Sequence, residues 1–401
     1  MNKKSKFEPS RNEMLSILEK NIQPIAKNET IPVAAASGRV CAEDIYAINS
    51  LPNKPVSDCD GIAVRFKDFA EGAPDTSLWQ EGKEYCFSNT GVALCEAFDT
   101  VIAIEKVEFD QEGKIRLLGC PTRQGEYVGV VGKYVKKGEL IASKGEMINP
   151  SLIGILLASG IINIKVLAKA KVAFIPTGDE LVPVGFEVPL GKNAESNSLM
   201  LKAYIEECGC EAIIYPIIPD IAEKIKEAIL SAAKVADLVL ICAGSSKGSK
   251  DFTIDILEGL GEVVVHELGH GPGKHCSLAY AGNVPVIGLP GPPNGADLVS
   301  LFYINNTLRL MQMQPFQLPY TIQAVLAEDI NGYAIDFIGY MRVFMKDGQC
   351  YVRPVSMFGK TRAELYHAHN AYFYIRKNSV IKKGESINIE MRCPKEYIME
   401  E

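Results

Sequence analysis

The stretch HELGHGPGKH, His266 to His275, holds the residue types of a zinc site. H-E-x-x-H puts two histidines one helical turn apart, with the glutamate placed as a general base. That geometry needs a helix, because only there do residues i and i+4 aim at one metal. Here three valines, Val263 to Val265, precede His266 and favour a strand. Gly269, Gly271, Pro272 and Gly273 follow and oppose a helix. The third ligand of the longer zinc-protease pattern would fall at Cys276. A zinc metallopeptidase therefore stands as the alternative, and a strand running into a glycine–proline turn as the plainer expectation. His367 and His369, two apart, are expected on one face of a strand, where two ligands alone do not define a metal site.

Other loops suit anions. CAGSSKGSKD follows an apolar run and precedes a helical pattern; its Gly244, Ser245, Ser246, Gly248 and Asp251 are candidates to cradle or position a phosphate. Glycines let backbone N–H groups converge on oxygens, and a following helix start adds positive potential. The loop is neither a Walker A motif nor a G-x-G-x-x-G turn. PTGDEL supplies Thr177, Gly178, Asp179 and Glu180, an acidic pair that suits a divalent metal or a solvated turn. GPGK and GLPGPPNG contribute Pro272, Gly273, Lys274, Pro290, Gly291 and Pro293 in loops that proline stiffens.

These loops need elements to hold them. From Lys171 onward apolar runs alternate with amphipathic ones: VAFIPTG, NSLMLKAYIEECG, CEAIIYPII, IAEKIKEAILSAAKV, ADLVLICAG, DFTIDILEGLG, EVVVHEL, VPVIGLPG, GADLVSLFYINNTLRLM. That alternation predicts a doubly wound, parallel α/β sheet, whose ligands lie outside the carboxyl ends of its strands. Asn197 is the expected cap of its helix and Gly209 its stop. Before this block, residues 8–30 read as a helix opened by Ser10, and 46–140 as short alternating strands. After Met313 the pattern turns β-like again.

At 401 residues the chain can form several domains. A net charge of −7 gives no general attraction to nucleic acid or an acidic membrane. LIGILLASGIINIKVLA is broken by Gly160, Asn163 and Lys165, so it reads as a buried helix and strand, not a membrane span. The lysines near the N-terminus have no apolar core behind them, unlike a signal peptide. Eleven scattered cysteines, with only Cys208 and Cys210 close in sequence, fit reduced thiols and a cytoplasmic location.

In order, SDCDGIAV, PTGDEL, ESNSLML, CAGSSKGSKD, GPGKH and GLPGPPNGA resemble the molybdopterin molybdenumtransferases, the MoeA family that includes the E domain of gephyrin. AASGRVCAEDI near the start, and AELYHAHNAYFYI with KKGESINI near the end, extend the resemblance over essentially the whole chain. It implies a discontinuous N-terminal and linker domain (1–45 and 141–170), an inserted β-rich domain (46–140), a doubly wound molybdopterin-binding domain (171–315) and a C-terminal β barrel (316–401). It also implies a homodimer, with other molybdenum-cofactor proteins as possible partners.

The implied reaction inserts molybdate into adenylylated molybdopterin with release of AMP, assisted by magnesium. By the same resemblance Asp60, Asp251 and Lys274 are the catalytic candidates, and Glu180, Asp60 and Asp251 the magnesium ligands. Thr90, Gly91, Ser196 and Asn197 join the loop residues above as ligand contacts, and Glu105 matches a motif glutamate. Asp60 and Thr90 are expected to work across the dimer with Asp251 and Lys274.

The chain also departs from the family pattern. Cys59 and Ile62 flank Asp60 and Gly61, and Gly132-Lys133-Tyr134 stands where an acidic pair is usual. Gly271 replaces a lysine, and GLPGPP replaces G-L-P-G-N-P. A non-catalytic molybdopterin-binding or cofactor-delivery protein therefore remains the second reading.

Overall fold

The computed structural model describes residues 7–185, 187–243, 252–394 and 398–400. It divides into two compact units, Asn28–Leu167 and a larger one formed by Met1–Lys27 with Ala168–Glu401.

Helix α1 (Arg11–Asn21) opens the larger unit. Glu13 accepts hydrogen bonds from the backbone N–H and the hydroxyl of Ser10, which ties down the first turn and lowers the Glu13 pKa. Met14, Leu15 and Leu18 share one helix face and are buried. The helix ends well short of the expected residue 30, because Ile22 is extended and Pro24 cannot continue it.

In the smaller unit β1 (Asn28–Pro32) pairs antiparallel with residues 163–167, far along the chain. Strands β2 (Gly61–Val64), β3 (Tyr85–Ser88) and β4 (Thr100–Ala103) form an antiparallel sheet with β2 in the middle. Gly61 is required there: a Cβ would sit 2.0 Å from the Ile102 carbonyl oxygen. Helix α2 (Pro150–Ala158) is capped by Asn149 and leads into β5 (Asn163–Leu167), the expected helix followed by a strand.

The larger unit resumes with β6 (Lys171–Ile175), α3 (Asn197–Glu207), β7 (Glu211–Ile214), α4 (Ala222–Ala233) and β8 (Leu238–Ala243). Next come α5 (Phe252–Glu258), β9 (Val263–Val265), β10 (His270–Gly271), β11 (Ser277–Ala281), β12 (Val284–Pro290), α6 (Pro293–Val299) and α7 (Asn305–Met311). The sheet order is β7-β6-β8-β12-β11-β9. Strands β7, β6, β8 and β12 are parallel, and β11 and β9 extend the sheet antiparallel.

Both faces of the sheet are covered. Val172 and Phe174 of β6 enter one core with α1, α3, α6 and α7, while Ala173 and Ile175 enter another with α4 and α5. This period-two division between two cores explains why such strands read as unbroken apolar runs. Strand β11 has no counterpart in the helix–strand alternation, because it turns back on β12 through Gly282 and Asn283 as a hairpin.

The chain finishes with β13 (Thr321–Leu326), β14 (Asp336–Lys346), β15 (Gln349–Val355), α8 (Arg362–Ala368), β16 (Ala371–Ile375) and β17 (Ser386–Met391). Hydrogen bonding runs β14-β15-β13-β17-β16 and returns to β14, a closed five-stranded barrel filled by Met341, Val343, Val352 and Ile389, among others. Helix α8 contradicts the strand expected around His367 and His369. Thr361 caps it, His367 is exposed within it, and His369 lies buried at its end. Among the described residues no helix is long and apolar enough to cross a membrane.

Candidate functional site

The carboxyl ends of β6, β8 and β12 open into a cleft of about 500 Å³ in the larger unit. Thr177 and Glu180 line it from the loop after β6, and Asn193, Glu195, Ser196 and Asn197 from the approach to α3. Cys242 ends β8, and Gly291, Pro292 and Pro293 supply the wall at the start of α6.

Local chemistry shapes this wall. Ser196, not Asn197, is the N-cap residue of α3, and Glu195 does the capping: its Oε1 accepts the Ser198 N–H at 3.1 Å. Asn197 is thereby turned inward and is 94% buried, with a relative exposure of 6%. Its Nδ2 donates to the Gly291 carbonyl at 3.1 Å and to Cys242 Sγ at 3.4 Å. Its Oδ1 has no hydrogen-bond partner among the described residues. Leaving such an acceptor unmet costs about 1–3 kcal/mol, a cost that a donor reaching it would remove. The buried Thr177 hydroxyl donates to the Cys242 carbonyl at 2.5 Å, tying β6 to β8. Burial raises the Cys242 thiol pKa to about 11, which leaves it a neutral packing group.

Other expected residues lie elsewhere. Asp179 is exposed and is not among the cleft-lining residues; its Oδ1 accepts the Asp220 N–H at 3.3 Å. Gly178 is buried beside Glu180, with no room for a Cβ before the Glu180 carboxylate. Pro290 is buried and its carbonyl accepts from Cys242 Sγ. Gly273, at φ +99°, lets the Pro272–Lys274 turn press on α6, where a Cβ would stand 2.8 Å from Val299. Lys274 does not line the cleft; its Nζ lies 3.2 Å from Glu8 and 3.7 Å from Glu267. Gly244, Ser245, Ser246, Gly248 and Asp251 lie outside the described residues.

The smaller unit assembles a second cluster. Asp60 Oδ1 accepts the Thr90 backbone N–H at 2.8 Å and its hydroxyl at 3.1 Å. Gly91, next in the same exposed turn, donates its N–H to the Ser57 carbonyl. Burial is the first cause of the raised Cys59 pKa, and the negative charges of Glu105, Asp58 and Asp60 add to it. Lys133 Nζ lies 2.7 Å from Asp58 Oδ1.

H-E-x-x-H does not make a zinc site. Its residues are not helical: β9 ends at Val265 and β10 begins at His270. His266 Nδ1 lies 3.9 Å from Glu258, Glu267 meets His275 at 2.9 Å, and His270 Nε2 contacts the Tyr303 hydroxyl at 2.5 Å. His270 is fully buried, and burial lowers its pKa to about 4. Among the described residues no group of three or more histidine, cysteine, aspartate and glutamate side chains could hold a metal.

Glu195 and Cys242 are cleft residues that the loop motifs did not single out. Glu195 stands in ESNS, and its capping spacing to Ser198 was the available signal. Cys242 carried none, since it reads as the last apolar residue of a strand.

A doubly wound sheet with its cleft at the strand ends, joined to a closed five-stranded barrel, defines a multidomain α/β ligand-binding protein. Residues 10–160 match the family description "MoeA N-terminal region (domain I and II)", and residues 173–309 match "Probable molybdopterin binding domain". A molybdopterin molybdenumtransferase of Haemophilus influenzae is 28% identical over 91% of this chain and 94% of its own. A protein of Methanocaldococcus jannaschii named for molybdopterin biosynthesis is 33% identical over 67% of this chain and 70% of its own. The solved MoeA protein of Pyrococcus horikoshii aligns with a TM-score of 0.78 at 27% identity, over 97% of this chain and 100% of the other. The chain belongs to the MoeA family, the molybdopterin molybdenumtransferases of molybdenum-cofactor biosynthesis.

Proposed function

We propose that the protein inserts molybdate into adenylylated molybdopterin: the bond joining the pterin phosphate to AMP is cleaved, AMP leaves, and the dithiolene sulfurs take the metal. The observation that carries this reading is the cleft at the ends of β6, β8 and β12, lined by Asn197, whose buried Oδ1 is unmet among the described residues. A pterin ring carries N–H donors suited to that oxygen, and the N–H groups at the start of α3 suit its phosphate.

Two carboxylates, Glu180 and Glu195, line the same cleft. Beside an anionic substrate they call for a cation between like charges, which magnesium supplies by neutralising phosphate oxygens. Glu180 is the candidate ligand in the cleft. Asp60 is the candidate in the smaller unit, where Thr90 holds its Oδ1. Asp251 and the loop from Gly244 to Gly248 complete the proposed ligand set, with Lys274 as the charge behind the Pro272–Gly273 turn. A homodimer that brings Asp60 and Thr90 to the cleft of a second copy, in the cytoplasm, completes the proposal.

Purified protein mixed with adenylylated molybdopterin, magnesium and molybdate should release AMP in proportion to molybdate. Tight pterin binding without molybdate-dependent AMP would replace this reading with cofactor delivery.

A further inference from the structure

The cysteine pair that stands out in the sequence, Cys208 and Cys210, is not the pair that the fold brings together. Cys210 Sγ turns to the Cys208 carbonyl. Cys86 and Cys95, nine positions apart, instead face each other with their sulfurs 3.5 Å apart. Bonded sulfurs stand about 2.05 Å apart, so this is a dithiol, and torsion about the two Cα–Cβ bonds can close the remaining gap.

Position assigns the two sulfurs different parts. Cys95 is exposed and Cys86 partly buried, so a reagent from solvent meets Cys95 first. Cys86 is fixed on β3 opposite Ala63 of β2. Cys95 is held on both sides: the Leu94 N–H donates to the Pro55 carbonyl at 2.9 Å, and the Phe98 N–H to the Cys95 carbonyl at 3.0 Å. The segment between them carries Thr90 and Gly91, which bind Asp60 and the Ser57 carbonyl.

We propose that Cys86 and Cys95 form a thiol–disulfide exchange site whose oxidant is a low-molecular-weight disulfide of the glutathione class, and that its closure staples the Thr90 loop to the edge of β3. Cys95 gives up its proton, and the thiolate attacks one sulfur of the reagent. The reagent's S–S bond breaks, a mixed disulfide forms on Cys95, and the first thiolate leaves and is protonated. Cys86, deprotonated in turn, attacks Cys95 Sγ and expels the second thiol. Two cysteine thiols lose two electrons in all, and one disulfide is reduced to two thiols. An effect of closure on catalysis rests on the function proposed above; the exchange itself does not.

The test treats the full, folded chain with oxidised glutathione, blocks the remaining thiols and maps the peptides by mass spectrometry. A Cys86–Cys95 cross-link that dithiothreitol reverses is expected. C86S should stop at a glutathione adduct on Cys95, and C95S should give neither product, with circular dichroism checking that both variants fold. Hydrogen exchange at Asn89–Val92 should slow on oxidation of the wild type and not of C95S. A wild-type adduct that persists on Cys95 with Cys86 still reduced overturns the proposal. So does an exchange rate in the loop that oxidation leaves unchanged. A cross-link in protein whose reduced form releases no AMP upholds the exchange site and overturns the catalytic reading instead.

Discussion

Lys133 Nζ lies 2.7 Å from Asp58 Oδ1, so the carboxylate two residues before Asp60 already has a lysine partner. The hydrogen bond to Asp58 is the main reason the Lys133 pKa is raised. This lysine stands where the family resemblance leads one to expect an acid. Its positive charge opposes a cation beside Asp60. K133M should therefore strengthen magnesium binding, read by calorimetric titration at low salt. Equal or weaker binding by the variant would show that Asp60 does not hold the metal.

Asn197, a cleft-lining residue, ties Gly291 and Cys242 to the start of α3, and its buried Oδ1 has no partner among the described residues. N197A should lower stability by about 1–3 kcal/mol through the amide bonds it removes. It should also weaken pterin binding tenfold or more. Fluorescence titration with molybdopterin reads the second effect separately from urea unfolding. Unchanged affinity would place the pterin elsewhere.

His270 is a fully buried base whose ring packs against Tyr303 and Tyr374. Burial is the first cause of its depressed pKa of about 4, and the nearby Arg11 charge adds to it against Asp336. In the unfolded chain it titrates near the ordinary value of about 6.5. Protons therefore favour the unfolded state, so its contribution is full above pH 6.5 and is lost as pH falls toward 4. A gap of about 2.5 pH units corresponds to about 3 kcal/mol at most. Urea unfolding at pH 7 and pH 4.5 should show a smaller loss in H270N than in the wild type. Identical losses would mean that other groups set the acid limit.

Gly61 follows Asp60 and has the Ile102 carbonyl where a side chain would begin. G61A should force β2 from β4 and cost about 1–3 kcal/mol or more. A thermal midpoint equal to the wild type would contradict that packing. Because the same shift moves Asp60 against Thr90, AMP release should fall further than stability alone explains.

Much of the architecture is local and therefore readable along the chain. The period-two and period-3.6 patterns from Lys171 to Met311 mark strands and helices, because each strand must feed two cores and each helix one. Glycine and proline placement excludes a helix at H-E-x-x-H, and the structure has none there. The cleft loops were legible for the same reason: short polar and glycine residues follow apolar strands. Helix α8 and strand β11 were less legible. A seven-residue helix carries too few turns to establish a period, and β11 owes its place to β12.

Sequence alone thus determined the family, most of the helix and strand order between Lys171 and Met311, and several of the loops that line the cleft, since backbone preference and burial act over neighbouring residues. Only tertiary structure decided who meets whom. Lys274 ends between Glu8 and Glu267, Asn197 turns in toward Gly291, and Cys86 meets Cys95 instead of Cys208 meeting Cys210. Such contacts join segments whose separation in sequence says nothing about their separation in space, and charge, hydrogen bonding and thiol chemistry depend on distances of a few ångströms.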